Sequence, residues 1–529
     1  MNDIILKNGI IVDGTRSNPY QANVCIKDGV IVSISTDQSE KAVEEVDVSG
    51  YVVSPGFIDI HSHSDAAPLV SYSVEGKVVQ GITTELVGNC GTSFVPTTPE
   101  HHEEVNKWLI ETTGVPLHGL NPAQESVSNY AINVQKNGGG LTNFGTLVGH
   151  CTLRIGSMGY VNRDPERSEM ELMKALLDRE LKRGAFGLSL GLIYPPSVYS
   201  KRQELIELAE VVAQNHAMLT VHMRDEGAHV LEAMDEMISI AKETGVHLQI
   251  SHLKPWGKPQ WGLSSTMLDK IDKARADGVD INCDQYPYIA GSNQLTSVIP
   301  SWAHEGGENA MMARLIARED GICEGIEEAL QYKDGPSAIL IDNTYGHHPE
   351  YEGKFISELS KEFGLNSVET VLKLLIECHT CVHTVDFCIS EEDMVNIMRR
   401  RDIAVGTDGS ALPFDARVVS YLPHPRNYGT FPRYFSIIRE KKLMPIEDAV
   451  YKVTGLPAGI MHLNDRGAIV QGKVADITVF DQESIKSNAG YMDPRTKPVG
   501  VPHVIINGVF VVKNGELTGA RPGKVLRHQ

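Results

Sequence analysis

Four times between residues 168 and 284 a stretch with helical apolar spacing is followed by a short apolar run. Ser168–Arg183 precedes Ala185–Leu190, and Gln203–His216 precedes Met218–His222. His229–Thr244 precedes Val246–His252, and Ser265–Asp277 precedes Val279–Asp284. Helical spacing that switches to strand-length runs, at a repeat of roughly 35 to 45 residues, marks βα units with parallel strands. A doubly wound nucleotide-binding sheet would carry a Gly-rich phosphate loop after a strand, and none follows these runs. The pattern predicts an α/β chain built on a TIM-like (β/α)8 barrel.

The two ends have a different texture. Ile4–Leu6, Ile10–Val12, Val24–Ile26 and Val30–Ile34 read as short strands, with hairpin turns expected at Asn8-Gly9 and Asp28-Gly29. Ala475–Asp481 reads as a strand, and Val504–Val512 as a hairpin turning at Asn507-Gly508. These segments predict one small β-sandwich domain built from residues 1–54 plus 465–529, around a hydrolase barrel over 55–464. Residues 292 to about 350, rich in Ala, Glu and Gly, break the βα rhythm and are expected to form an inserted lid over the barrel mouth.

Composition narrows the partners. A formal charge of −20 argues against nucleic acid, whose phosphates need a basic face. No apolar run approaches the ~20 residues of a membrane span. The first residues alternate as a strand does and carry no basic–apolar leader pattern. Eight scattered cysteines in 529 residues are no disulfide framework, which points to a reducing cytoplasm. An anionic small molecule would need a local cationic site on so acidic a chain.

Chemistry-bearing residues collect at the ends of the expected strands. Phe57-Ile58-Asp59-Ile60 runs into His61-Ser62-His63, and alternation puts both imidazoles on one side of the chain. Val221-His222 and Ser251-His252 end two further runs, and Asp408 follows Ile403–Gly406. One such residue is unremarkable, but three imidazole positions and a carboxylate at independent strand ends point to a metal-assisted site with a proton-accepting Asp. Cys90, in Gly88-Asn89-Cys90-Gly91, can add a thiolate, giving Cys90, His222 and His252 as three ligands with an open position. His150 follows another apolar run and either hydrogen-bonds in the site or packs. Cys378-x-x-Cys381 with His379, His383 and Cys388 lacks a second closely spaced ligand pair and is set aside as a zinc knuckle.

These motifs resemble the amidohydrolase superfamily, and within it the D-aminoacylase (N-acyl-D-amino-acid deacylase) branch. The resemblance runs nearly end to end through Gly56–Asp65, Gly88–Gly91, Gly184–Pro195, His222–Glu226, Asp284–Tyr288 and His424–Arg433. It implies one tight Zn²⁺ on Cys90, His222 and His252, a second weak or empty position at His61 and His63, and Asp408 as proton shuttle. It also implies that Tyr194, Lys254, Arg426 and Ser292 hold the substrate α-carboxylate, with His150 nearby. The implied reaction is hydrolysis of the amide bond of N-acyl-D-amino acids, and the D-selectivity comes from the resemblance alone. Three alternatives stand beside it. One is a dipeptidase acting before a C-terminal D-residue. Another is a cyclic-amide hydrolase of the hydantoinase or dihydroorotase kind, against which Cys90 counts because a bridging lysine is expected there. The last is a non-catalytic scaffold, which would have lost ligands that are all present. Side-chain preference and oligomeric state are not readable.

Overall fold

The computed structural model describes residues 1–113, 115–117 and 119–528. The four expected helices form as Arg167–Lys182, Arg202–Gln214, Val230–Thr244 and Ser264–Ala276, each burying its apolar face. The runs after them become the strands Gly187–Gly191, Met218–His222, His247–Ile250 and Ile281–Gln285. These four pair in parallel and in sequence order.

The parallel series extends at both ends. Phe57–Asp59 pairs with Ile82–Val87, which pairs with Asn143–Thr146. Val148–Gly149 continues that segment and pairs with Gly187–Gly191. Ala404–Val405 pairs with Ile281–Gln285. A parallel bridge, Ser62 to Gly409, and the bond from Asp408 N to His61 O (2.8 Å) link the last segment to the first. All strand C-termini therefore open on the same side, where the loops carrying the candidate residues gather.

Strands from both chain ends join in one nine-stranded sheet, in which Val52–Pro55 pairs with Ile477–Phe480. Phe57 meets Phe480 edge to face (5.8 Å), tying this sheet to the parallel strands, and also packs on Phe431 (5.6 Å) and Phe435 (5.3 Å) of helix Arg426–Lys441, in aromatic contacts of about 0.5–1.5 kcal/mol each. The Asn507-Gly508 turn forms as expected, with φ of 49° and 79°. Asn8-Gly9 does not turn. Asn2–Ile11 is one strand with a register shift between Leu6 and Gly9, so the positive φ of Asn8 (61°) serves a bulge instead.

The insertion also differs from expectation. It runs past residue 350, because His383–Asp386 pairs antiparallel with both Gly291–Gln294 and Ile339–Asn343. Helices Glu308–Ala317, Ile322–Tyr332, Ile356–Phe363 and Ser367–Glu377 pack beside this three-stranded sheet, around a core of their own that includes Leu315, Ile326, Leu359 and Leu375.

One buried cation gives a pH-dependent stability. Lys452 lies in helix Ile446–Val453 and donates to Met398 O (2.6 Å), and burial pulls its ammonium down to about 7. Between that value and the ordinary lysine range the unfolded chain holds a proton that the folded chain has released. Stability from this group therefore rises with pH through that window. The urea midpoint should climb more between pH 7 and 9 in the wild type than in Lys452→Met; equal slopes would refute the assignment.

Candidate metal centre

His61, Cys90, His222, His252 and Asp408 each sit at the end of a parallel strand or just beyond it. Cys90 is carried by the Gly88–Gly91 turn, which lies flat on the neighbouring strand. A Cβ on Gly91 would meet Gly191 N at 2.8 Å, and one on Gly191 would meet Cys90 O at 2.1 Å, so glycine on both sides permits the approach. Cys90, His252 and Asp408 all adopt left-handed backbone, at φ of 52°, 36° and 50°. Non-glycine residues enter that region at an energetic cost, and such positions concentrate at functional sites.

The donors converge in two overlapping groups that share His252. His61, Cys90, His252 and Asp408 form one, with ligand atoms within 4.8 Å of one another. His222, Glu226 and His252 form the other. Cys90 Sγ lies 3.3 Å from His61 Nε2 and 3.6 Å from His252 Nε2. Asp408 Oδ1 lies 3.3 Å from His61 Nε2 and 3.0 Å from His63 Nε2, while Arg426 donates to Asp408 Oδ2 at 2.8 Å. The rings of His222 and His252 meet edge to face at 4.4 Å, with Tyr194 5.0 Å beyond His222.

The charges of this cluster support one another. Burial by itself would push the Cys90 thiol up, but His61, His222 and His252 outweigh it and hold the group well below the usual thiol range. Burial and Lys254 both lower His252, yet Glu226, Asp408 and Cys90 raise it to about 9. Burial also opposes protonation of His63, and Asp408 with Cys90 brings it to about 9. Asp408, against its own burial, is kept far below the carboxylate range by Arg426, His252, His61 and His63. A thiolate, a carboxylate and imidazoles that bind protons this readily are also good metal donors, and a cation here competes with those protons.

The residues fit a borderline-soft divalent ion such as zinc. The observation that tests this is His222. Both its ring nitrogens are buried without a hydrogen-bond partner, an expensive arrangement unless something ligates them.

Two site residues escaped the sequence reading. Glu226 accepts from Lys254 (2.7 Å), lies 2.9 Å from His252 Nδ1 and 3.6 Å from His222 Nε2. Its spacing four residues after His222 was the available signal. Asp284, near the end of its strand, lies 3.3 Å from His61 Nδ1 and accepts from the backbone N–H of His252 at 2.8 Å, which fixes the backbone that carries His252. His150 is corrected. Its Nε2 faces Glu204 and its Nδ1 faces Ser197, both at 2.8 Å, and Glu204 is shared with buried Arg154. With both nitrogens engaged in the interior, His150 fastens the loop after Gly187–Gly191 and offers no atom to a substrate.

Lys254 and Arg426 are both buried and already paired with acids, Glu226 and Asp408. Ser292 opens the insertion sheet. The residue before it packs on Trp256, and Ala290 O accepts from His424 Nε2 (3.0 Å), whose Nδ1 accepts from Arg426 N.

The amidohydrolase family model matches residues 44–320 and 407–512, more than half of the chain. This protein belongs to the amidohydrolase family. An N-acyl-D-glutamate deacylase of Alcaligenes xylosoxydans xylosoxydans is 32% identical over 99% of this amidohydrolase and 96% of its own length. A crystal structure of N-acyl-D-glutamate deacylase from Bordetella bronchiseptica, complexed with zinc and a phosphonate mimic of the tetrahedral intermediate, superposes with a TM-score of 0.83. It is 29% identical and the match covers 99% of both chains. A D-aminoacylase structure, from work on one-metal activation and second-metal attenuation in its binuclear centre, is 30% identical with a TM-score of 0.82 over all of both chains. Among the described residues of this amidohydrolase, no helix is long and apolar enough to cross a membrane.

Proposed function

We propose that this amidohydrolase cleaves the amide bond of N-acyl-D-amino acids, releasing a carboxylate and a free D-amino acid. The observation that carries the reading is the place of Cys90, its Sγ 3.3 Å from His61 Nε2 and 3.6 Å from His252 Nε2, where a cyclic-amide hydrolase would be expected to place a lysine. Whole-length similarity to enzymes named for this reaction supports it.

We assign one tight zinc to Cys90, His222 and His252, with Glu226 beside the two imidazoles, and a weaker second position to His61 and His63, with Asp408 beside them. Bound there, zinc supplies a Lewis acid that polarises the scissile carbonyl and makes water acidic. Asp408, fully ionised, accepts the proton of the attacking water and delivers it to the departing amine. Arg426, Lys254, Tyr194 and Ser292 hold the α-carboxylate. Burial, followed by the neighbouring charges of Cys90, Asp408 and Glu226, drives the Tyr194 phenol far above its usual range, so it remains a donor. Because Glu226 and Asp408 neutralise the two cations, the attraction for an anionic substrate depends on the metal charge added to the cluster.

We further read the linked circuit of parallel strands as a closed (β/α)8 barrel over residues 55–464, and residues 1–54 with 465–529 as one β domain. The cysteines form no disulfide among the described residues, which suits the proposed cytoplasmic setting.

The test is amine release from paired N-acetyl-D- and N-acetyl-L-amino acids by zinc-loaded enzyme, beside Cys90→Ala with its metal content measured. Turnover of the D series only, lost together with bound zinc in the variant, is expected. If neither series is cleaved by a folded, zinc-loaded protein, the deacylase assignment fails and D-dipeptides and cyclic amides become the substrates to try.

A further inference from the structure

The insertion sheet, joined to Arg426 through Ala290 and His424, sets three residues in series. Ser292 Oγ lies 3.5 Å from His383 Nε2, and His383 Nδ1 lies 2.8 Å from Asp342 Oδ1. The Asp342 side chain is 1% exposed and that of His383 24%, so the acid is buried and the ring is partly exposed. The three residues come from three adjoining antiparallel strands, which holds their order rigidly.

Asp342 only accepts, so Nδ1 of His383 carries a proton in either state of the ring. What Ser292 can offer then depends on Nε2. In the neutral ring Nε2 is an acceptor. It takes the serine proton and leaves the oxygen lone pairs facing outward, where they repel a carboxylate. In the imidazolium Nε2 donates to Oγ, and the serine proton is free to meet an anion. An anion arriving at Ser292 in turn favours the charged ring.

The groups around this ring can be named. Asp342 is the charge in contact with it. Glu352, Tyr345 and Tyr421 border Asp342, and Arg495 borders Glu352. Cys381 borders Tyr345, and His424, kept neutral chiefly by its burial, feels the ring from the Arg426 side. Lys333 is committed to Asp386 at 2.5 Å, and the Ser292 strand adds only the neutral Asn293 and Gln294.

We propose that His383, held by Asp342, is a positioning residue that couples proton uptake to capture of the substrate carboxylate through Ser292. This inference rests on the deacylase reading and on the role given there to Ser292.

The experiment is the pH dependence of KM and kcat, from pH 6 to 9, for an N-acetyl-D-amino acid that the wild type cleaves. Wild-type KM should rise with pH across this range, by no more than about tenfold per pH unit, without a matching fall in kcat. His383→Gln, whose amide can donate to Oγ at any pH, should hold KM flat. Asp342→Asn should move the rise to lower pH. A wild-type KM profile retained in His383→Gln, or a loss confined to kcat, would overturn the proposal. Should His383→Gln not fold, an unshifted Asp342→Asn profile overturns it equally. Turnover with a pH-independent wild-type KM defeats this inference alone, whereas no turnover of any N-acetyl-D-amino acid defeats the deacylase reading and this inference with it.

Discussion

Asp408→Asn is expected to lower kcat by about 10²- to 10⁴-fold, the range that a positioned acid–base group contributes. Asparagine keeps the shape of the side chain and an oxygen for Arg426, but it cannot take up a proton. The native carboxylate is bound by Arg426 at 2.8 Å and by His63 at 3.0 Å, and its backbone donates to His61 O. It is thus fixed over the imidazole cluster and ionised throughout the working pH range. The depression also limits it as a base, since a strongly stabilised carboxylate takes protons reluctantly. A substrate carboxylate drawing Arg426 away would raise its affinity for the proton at the moment of attack. Steady-state kinetics with metal content measured in parallel decide the matter: a loss below tenfold with zinc retained removes Asp408 from the proton path.

Lys77→Met should destabilise the fold by about 3–5 kcal/mol, the cost of stranding buried carboxylates without their cation. Lys77 is 1% exposed and donates to Asp59 Oδ2 (2.7 Å), Ser62 Oγ (3.2 Å) and Thr407 Oγ1, with Glu85 at 3.7 Å. Both acids are fully buried. Asp59 in turn accepts from Thr407 N (2.8 Å) and lies 3.3 Å from His61 N, so one lysine fastens the segment carrying His61 to the segment carrying Asp408. Against a typical total stability of about 5–15 kcal/mol, a loss of this size removes a large share. Denaturant titration of the variant, with Lys77→Met/Asp59→Asn as partner, measures it. A midpoint near wild type in the single variant would show that the acids find other compensation, and a double variant no more stable than the single one would show that Asp59 is not the stranded charge.

Much of this arrangement was legible beforehand because a parallel strand announces itself twice, by its apolar run and by the helix before it. Met218–His222 was read without error, and the helix before it closed within two residues of expectation. His222, His252 and Asp408 were found because a polar residue ending such a run has few structural reasons to be there. The same rule misplaced His150. It too follows an apolar run, but helix His150–Met158 is buried on every side, Arg154 included, so no amphipathic stripe marked it as interior. Glu226 stayed hidden because acids in loops are common, Asp284 because it sits within its strand Ile281–Gln285, and their roles exist only once the strands bring them to His252 and His61. The end of the insertion was missed because Ser367–Glu377 followed by His383–Asp386 imitates one more βα unit, and only the antiparallel pairing tells them apart.

The nine-stranded sheet imposes a schedule on synthesis. Val52–Pro55 leaves the ribosome more than 400 residues ahead of its partner Ile477–Phe480. At about 5–20 residues per second, the amino-terminal strands wait on the order of tens of seconds with one edge unpaired. That interval is long enough for a chaperone to bind, or for a neighbouring nascent chain to pair with the open edge. The yield of folded enzyme should therefore respond to translation speed and to whatever shields the first fifty-odd residues, while the completed molecule carries no trace of the delay.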